Sequence, residues 1–158
     1  VRIPKYQIVG VIRMKIAIGS DHAAFELKEK VKEYLQKNGL EVFDCGTYSI
    51  ESVDYPDYAK KVSEKIVKKE CDFGILMCGT GIGMSIAANK IKGIRAALCL
   101  FPDMAAYARR HNDANILVLP GRLMGIELAK WTVDAFLNSS FEGGRHERRV
   151  KKIEELEE

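Results

Sequence analysis

Cys78, Thr80 and the glycines Gly79, Gly81 and Gly83 have the types and spacing that a proton-transfer site needs. They form the run Cys-Gly-Thr-Gly-Ile-Gly between two different kinds of segment. Before it, Phe73 to Met77 is a short apolar run that reads as a strand buried on both faces. After it, Met84 to Lys90 is rich in helix formers and free of Gly and Pro. Glycines between them let the chain turn sharply and let a ligand approach the main chain. The N–H groups at the start of the following helix favour negative charge. A thiol in that position has its thiolate form favoured. The loop therefore offers a base or nucleophile beside a cradle for an anion, although Thr80 is also explained as a simple helix cap.

Three other groups carry possible chemistry. Asp21 suits a cap for the first long helix, while His22 begins that helix, where the dipole disfavours a cation unless an anion binds nearby. Arg145, Arg148, Arg149 and Lys152 fall at i, i+3, i+4 and i+7 and share one helical face. That face reads equally as a solvated stripe paired with Glu147, Glu154 and Glu155, or as a phosphate clamp of forked guanidinium groups. His111 lies in a polar connector, His-Asn-Asp-Ala-Asn, between the fourth helix and the fifth strand. It thus belongs at the amino edge of the sheet, whereas Cys78 belongs at the carboxyl edge. Either a second subunit brings His111 to Cys78, or His111 is a surface residue.

The elements that must position these groups alternate along the chain. Strands are expected over Lys15–Gly19, Leu40–Cys45, Phe73–Met77, Ile94–Leu100 and Ile116–Leu119. Helices are expected from Ala23 to Asn38, from about Asp57 to Lys69, after the glycine loop, and from Pro102 to about Arg110. A long helix to about Leu137 and a charged final helix, Arg145 to Glu158, complete the set. Such alternation predicts an α/β fold in three layers, a five-stranded parallel sheet with helices on both faces plus a C-terminal helix. The flavodoxin-like, Rossmann-type strand order puts a switch point between the first and third strands, where ligands bind. Asp21-His22 follows the first strand and Cys78–Gly83 follows the third, so both segments meet at one crevice.

The bulk composition narrows the class. With 158 residues, a single domain over 14–158 is expected, with residues 1–13 as an N-terminal extension ahead of Met14. A formal charge of +3 is too small to argue for a nucleic-acid partner. No apolar run approaches membrane-spanning length, and no small-residue cleavage site follows Ile8 to Ile12, so neither a membrane anchor nor a signal peptide is expected. The four cysteines lack a C-x-x-C spacing, and three lie in or beside strands. That usage points to reduced thiols in the cytoplasm and to no metal site.

With these residues in view, the chain resembles the type B ribose-5-phosphate isomerase family, which includes galactose-6-phosphate isomerase subunits. The resemblance rests on Gly-Ser-Asp-His at 19–22, Asp-Tyr-Pro at 54–56 and the thirteen-residue run Cys-Gly-Thr-Gly-Ile-Gly-Met-Ser-Ile-Ala-Ala-Asn-Lys at 78–90. It continues through Gly-Ile-Arg-Ala at 93–96, His-Asn-Asp-Ala-Asn at 111–115 and Glu-Gly-Gly-Arg-His at 142–146. It implies interconversion of aldose and ketose phosphates with no cofactor and no metal. In that light Cys78 is the base between C1 and C2; some relatives place a glutamate at or near the position of Met84 instead. Thr80 and His111 assist ring opening, with Asp21 close to the ring. Amides from Gly79, Gly81 and Gly83, with Asn112, hold the enediolate. His22, Arg122, Arg145 and Arg149 hold the phosphate, and Tyr55 joins the substrate contacts. The resemblance also implies a homodimer or tetramer with shared sites. Ribose 5-phosphate is the first expected substrate, with a six-carbon sugar phosphate such as allose or galactose 6-phosphate as the alternative. A nucleotide-binding module is the weaker rival: Asp103 lies about twenty residues beyond the glycines, but their spacing is G-x-G-x-G and they follow the third strand, not the first.

Overall fold

The computed structural model describes residues 14–157, so the expected extension over residues 1–13 lies outside the described residues. The apolar runs become five strands separated by crossover helices: β1 (Lys15–Ser20), α1 (Phe25–Lys37), β2 (Glu41–Asp44), α2 (Tyr55–Val67), β3 (Phe73–Cys78), α3 (Ile82–Ala88), β4 (Ala96–Leu98), α4 (Pro102–Asn112), β5 (Ile116–Pro120), α5 (Ile126–Leu137) and α6 (Arg145–Glu155). A short 3₁₀ turn, His22–Ala24, precedes α1. All strand pairs are parallel.

Period-two alternation along the central strands divides the core between the two faces of the sheet. Ile16, Ile18, Ile75, Met77, Leu117 and Leu119 pack with Val31 and Leu35 of α1, Ala105 of α4, and Val133 and Phe136 of α5. Their neighbours Ala17, Leu76, Ile116 and Val118 pack with Ala59 and Val62 of α2, and with Met84 and Ala88 of α3. Helices therefore cover both faces, giving the three layers expected.

The strand order is β2-β1-β3-β5-β4. The switch point between β1 and β3 is where the flavodoxin-like order puts it, but the last two strands are exchanged. Burial explains the exchange. Every residue of Ile116–Pro120 is buried, whereas β4 has three residues, all half-buried. The more apolar strand takes the interior position, and the short one takes the edge. Other boundaries shift by a few residues: α3 starts at Ile82, and α4 continues to Asn112, so His111 lies in its last turn.

Candidate active site

Main-chain hydrogen bonds stitch three loops together at the carboxyl edge of the sheet. Asp21 N–H donates to Met77 O (3.2 Å), Gly121 N–H donates to Cys78 O (2.8 Å), and Arg122 N–H donates to Gly79 O (3.0 Å). The loops after β1, β3 and β5 thus form one surface. Close approach at Gly121 makes this possible, since a Cβ there would sit 2.5 Å from Ala24 Cβ and 2.9 Å from Ala24 Cα.

Cys78 ends β3, buried among the side chains of α2 and α3, with Met84 fully buried in the same cluster. Gly79 lies under Arg122, whose Cδ is 3.3 Å from the point a Gly79 Cβ would occupy. Thr80 Oγ accepts from Ile82 N–H (3.3 Å), a turn bond just ahead of α3, but the cap position itself is taken by Gly81 in the left-handed conformation, with no side-chain cap bond. Tyr55, the first residue of α2, lays its ring on Gly83: a Cβ at Gly83 would fall 2.5 Å from Tyr55 Cζ and 2.8 Å from its hydroxyl oxygen. Asp21 Oδ1 accepts from Ala23 N–H (3.0 Å) and so caps the 3₁₀ turn His22–Ala24 rather than the long helix α1 behind it, which begins after Ala24 with no side-chain cap. His22 Nδ1 accepts from Val53 N–H (3.1 Å). That bond places the neutral imidazole's proton on Nε2 and leaves it as a donor. Val53 is a contributor that no pattern in the sequence marks, because its part is played by the main chain.

His111, Asn112, Arg145 and Arg149 are not part of this group. Gly74 pairs with Ile116 at the start of β5, and Cys78 pairs with Pro120 at its end. Those four rungs, at ~3.3 Å each, carry Cys78 about 13 Å along the sheet from the edge where α4 ends. At that other edge His111 stacks on His146 with ring centroids 4.1 Å apart and planes at 10°. Tyr107 also touches it, with centroids 4.9 Å apart. Glu142 Oε1 lies 3.4 Å from His111 Nε2. Arg145 and Arg149 are exposed on α6 and form no ion pair with a carboxylate among the described residues. The candidate residues therefore fall into two groups: a thiol, amides, Asp21, His22, Tyr55 and Arg122 at one edge; His111, Asn112, Arg145 and Arg149 at the other.

The remaining thiols are passive. Burial pushes Cys71 up to about 11 and Cys99 up to about 12, and it raises Cys45 as well. Among the described residues, His111, Glu142 and His146 have ligand atoms within 4.8 Å of one another, as metal donors require. Their arrangement suits a metal poorly, because near-parallel rings send their lone pairs along separate planes and a shared ion must lie in both. A cavity of about 700 Å³ lies between the 89–97 turn and α6, lined by Lys90, Arg95, Ile153 and Leu156. A second, of about 570 Å³, lies between β4 and α4 beside Phe101, Tyr107 and Asn112. Neither encloses Cys78. Among the described residues, no helix is long and apolar enough to cross a membrane.

Comparison with known proteins supplies the family. The Ribose/Galactose Isomerase family profile matches residues 16–153. Ribose-5-phosphate isomerase B of Escherichia coli is 50% identical over 144 residues, covering 91% of this chain and 97% of that protein. A galactose-6-phosphate isomerase subunit of Clostridium acetobutylicum is 40% identical over 144 residues, covering 90% of this chain and 83% of that one. The crystal structure of a ribose 5-phosphate isomerase from Thermotoga maritima superposes with a TM-score of 0.90 at 72% identity, covering 91% of this chain and 99% of that chain. The type B enzyme of Trypanosoma brucei superposes at 0.88 with 43% identity, covering 92% and 99%. With its profile match, its relatives and its fold in agreement, this chain belongs to the ribose/galactose isomerase family.

Proposed function

We propose that this chain interconverts ribose 5-phosphate and ribulose 5-phosphate in the cytoplasm, as a homodimer or tetramer whose active sites are shared between subunits. One observation supports the reading: the residues assigned to the reaction lie at opposite edges of the same sheet. Each half is incomplete alone, and a two-fold axis that brings one edge onto the other completes two sites at once.

The chemistry divides in the same way. Ring opening breaks the bond between C1 and the ring oxygen, as the C1 hydroxyl loses its proton and the ring oxygen gains one. His111 and Thr80 move those protons, with Asp21 beside the ring. Cys78, as thiolate, then takes the proton from C2 as negative charge develops on O1, giving the enediolate; the proton of the 2-hydroxyl passes to O1, and the thiol returns its proton to C1 as the C2 carbonyl forms. A positioned base of this kind contributes ~10²–10⁴ in rate. Amides of Gly79, Gly81 and Gly83, with Asn112, face the oxygen that becomes negative, which is usually the larger effect. His22, Arg122, Arg145 and Arg149 hold the phosphate, and Tyr55 bounds the pocket wall. Some relatives place a glutamate base at or near the position of Met84; no glutamate stands in Ile82–Lys90 here, which favours Cys78 as the base. No step calls for a metal, an organic cofactor or a nucleic acid.

The test is a steady-state assay of wild type and Cys78→Ala on ribose 5-phosphate, with allose 6-phosphate and galactose 6-phosphate in parallel. The expected result is turnover of ribose 5-phosphate by wild type and a loss of at least about 100-fold in kcat for the variant, with inorganic phosphate competing in both. Unchanged turnover in Cys78→Ala removes the base. The 40%-identical galactose-6-phosphate isomerase subunit keeps a six-carbon substrate as the second reading, and a higher kcat/KM on either hexose phosphate selects it.

A further inference from the structure

The environment of His111 is more elaborate than a surface histidine requires. Its side chain is one-third exposed, yet it touches Tyr107, stacks on His146 and meets the Glu142 carboxylate. The chain is shaped to deliver these groups. Glu142 N–H donates to Arg110 O (3.0 Å), which ties the segment after α5 to the last turn of α4. Gly143 (φ 66°) and Gly144 (φ 55°, ψ −130°) then reverse the chain in conformations that side chains oppose. That reversal starts α6 with Arg145 and lays His146 on the imidazole. An exposed ion pair contributes little to stability, so fold maintenance does not explain the arrangement.

We propose that Glu142 is a positioning residue for His111, holding the imidazole through Nε2 and so fixing which nitrogen is left to exchange a proton with the sugar. This rests on His111 acting in ring opening, as proposed above. A carboxylate at one ring nitrogen fixes both the tautomer and the ring plane. His146 supplies the flat wall. Partial burial, then the charges of His111 and Arg145, push its pKa below the ordinary histidine value, which favours the neutral ring in the stack. The stacking also decides against the metal reading, since a bound ion needs the rings turned out of their parallel planes.

The prediction is separable from a structural role because ring opening can be removed from the substrate. An aldose phosphate lacking the 4-hydroxyl has no oxygen with which to close a furanose. The experiment compares wild type, Glu142→Gln, Glu142→Asp and His111→Ala on ribose 5-phosphate and on 4-deoxyribose 5-phosphate. The expected outcome is a kcat/KM loss of about tenfold or more for Glu142→Gln on ribose 5-phosphate. On the deoxy substrate the loss is within about twofold, and Glu142→Asp recovers part of the activity. Equal losses on both substrates, or no loss on either, overturn the positioning role. If His111→Ala leaves ribose 5-phosphate turnover intact, the ring-opening reading itself fails, and that result is distinct from failure of Glu142 alone. Glu142 is half exposed, so its replacement leaves the fold in place.

Discussion

Cys71 and Cys99 show what burial does to a thiol in this chain when nothing offsets it. The unfolded chain releases their protons near the ordinary value of 9.0, and the folded chain holds them to about 11 and about 12. A raised acid pKa means that the native state binds the proton more tightly. The stabilisation is complete below 9.0 and is lost as pH climbs from there toward the folded values. Urea midpoints should therefore fall between about pH 8 and about pH 10.5, and the fall should be shallower in a Cys71→Ala, Cys99→Ala double variant. An identical slope in both proteins assigns the alkaline loss to other groups. At the site, Gly83 offers a sharper probe. Gly83→Ala drives a methyl into the far end of the Tyr55 ring, which is partly exposed and able to swing away. KM for ribose 5-phosphate should rise about tenfold while stability falls by less than about 1 kcal/mol, as kinetics and a thermal melt will report.

At the scale of elements, one buried cation links α1 to the site. Lys28 has no exposed surface and donates to both carboxylate oxygens of Asp44 at 2.7 Å. Lys32 donates to Asp44 Oδ2 (2.8 Å), and Gly46 N–H to Oδ1 (2.9 Å). Burial alone would raise the Asp44 pKa; the hydrogen bonds from Lys28 and Lys32 outweigh it and hold the pKa below the ordinary 3.8. That stabilisation is present at neutral pH and disappears in acid, as pH falls through the folded value. The same turn returns to β1, where Ser20 N–H donates to Gly46 O and Thr47 N–H to Ser20 O, both at 2.8 Å, directly before Asp21 and His22. Lys28→Met should cost about 3 kcal/mol in urea unfolding, at the low end for a broken buried pair because Lys32 still holds Asp44. The sequence could not show this. Lys28 reads as an ordinary helix charge, and its partner lies on another element. The elements themselves were legible because apolar runs and Gly or Pro breaks alternate cleanly, and Asp21, His22 and Cys78 to Gly83 were legible because the switch point follows from that alternation. Strand order beyond the switch point was not, since it depends on how completely each strand is buried. Ile94–Leu100 shortens to three residues of strand, Ala96–Leu98: the Arg95 amide donates to the Asn115 side chain (2.8 Å), while its carbonyl still accepts from Ile116 N–H (3.3 Å). Glu142 and His146 sit within a recognisable motif, but no local periodicity joins them to His111.

For the whole molecule, the fact behind the proposal of shared sites is the separation of the two groups of candidate residues along the sheet, and the chain also exposes several large apolar side chains. Ile82 and Ile86 on α3, Phe101 just before α4, Tyr107 on α4, and Leu123 beyond β5 are all exposed apolar residues. Burying such side chains against a second copy would favour the association proposed above. If a two-fold axis joins the edges, each site takes Cys78 from one chain and His111 from the other. A heterodimer of Cys78→Ala with His111→Ala chains then holds one site with both lesions and one site with neither. Each parent homodimer should be nearly inactive on ribose 5-phosphate, while purified heterodimer, isolated with two different affinity tags, should recover about half the wild-type kcat per dimer. The half-value is specific to sharing, because sites completed within one chain leave every site in the heterodimer with one lesion and the mixture as inactive as its parents.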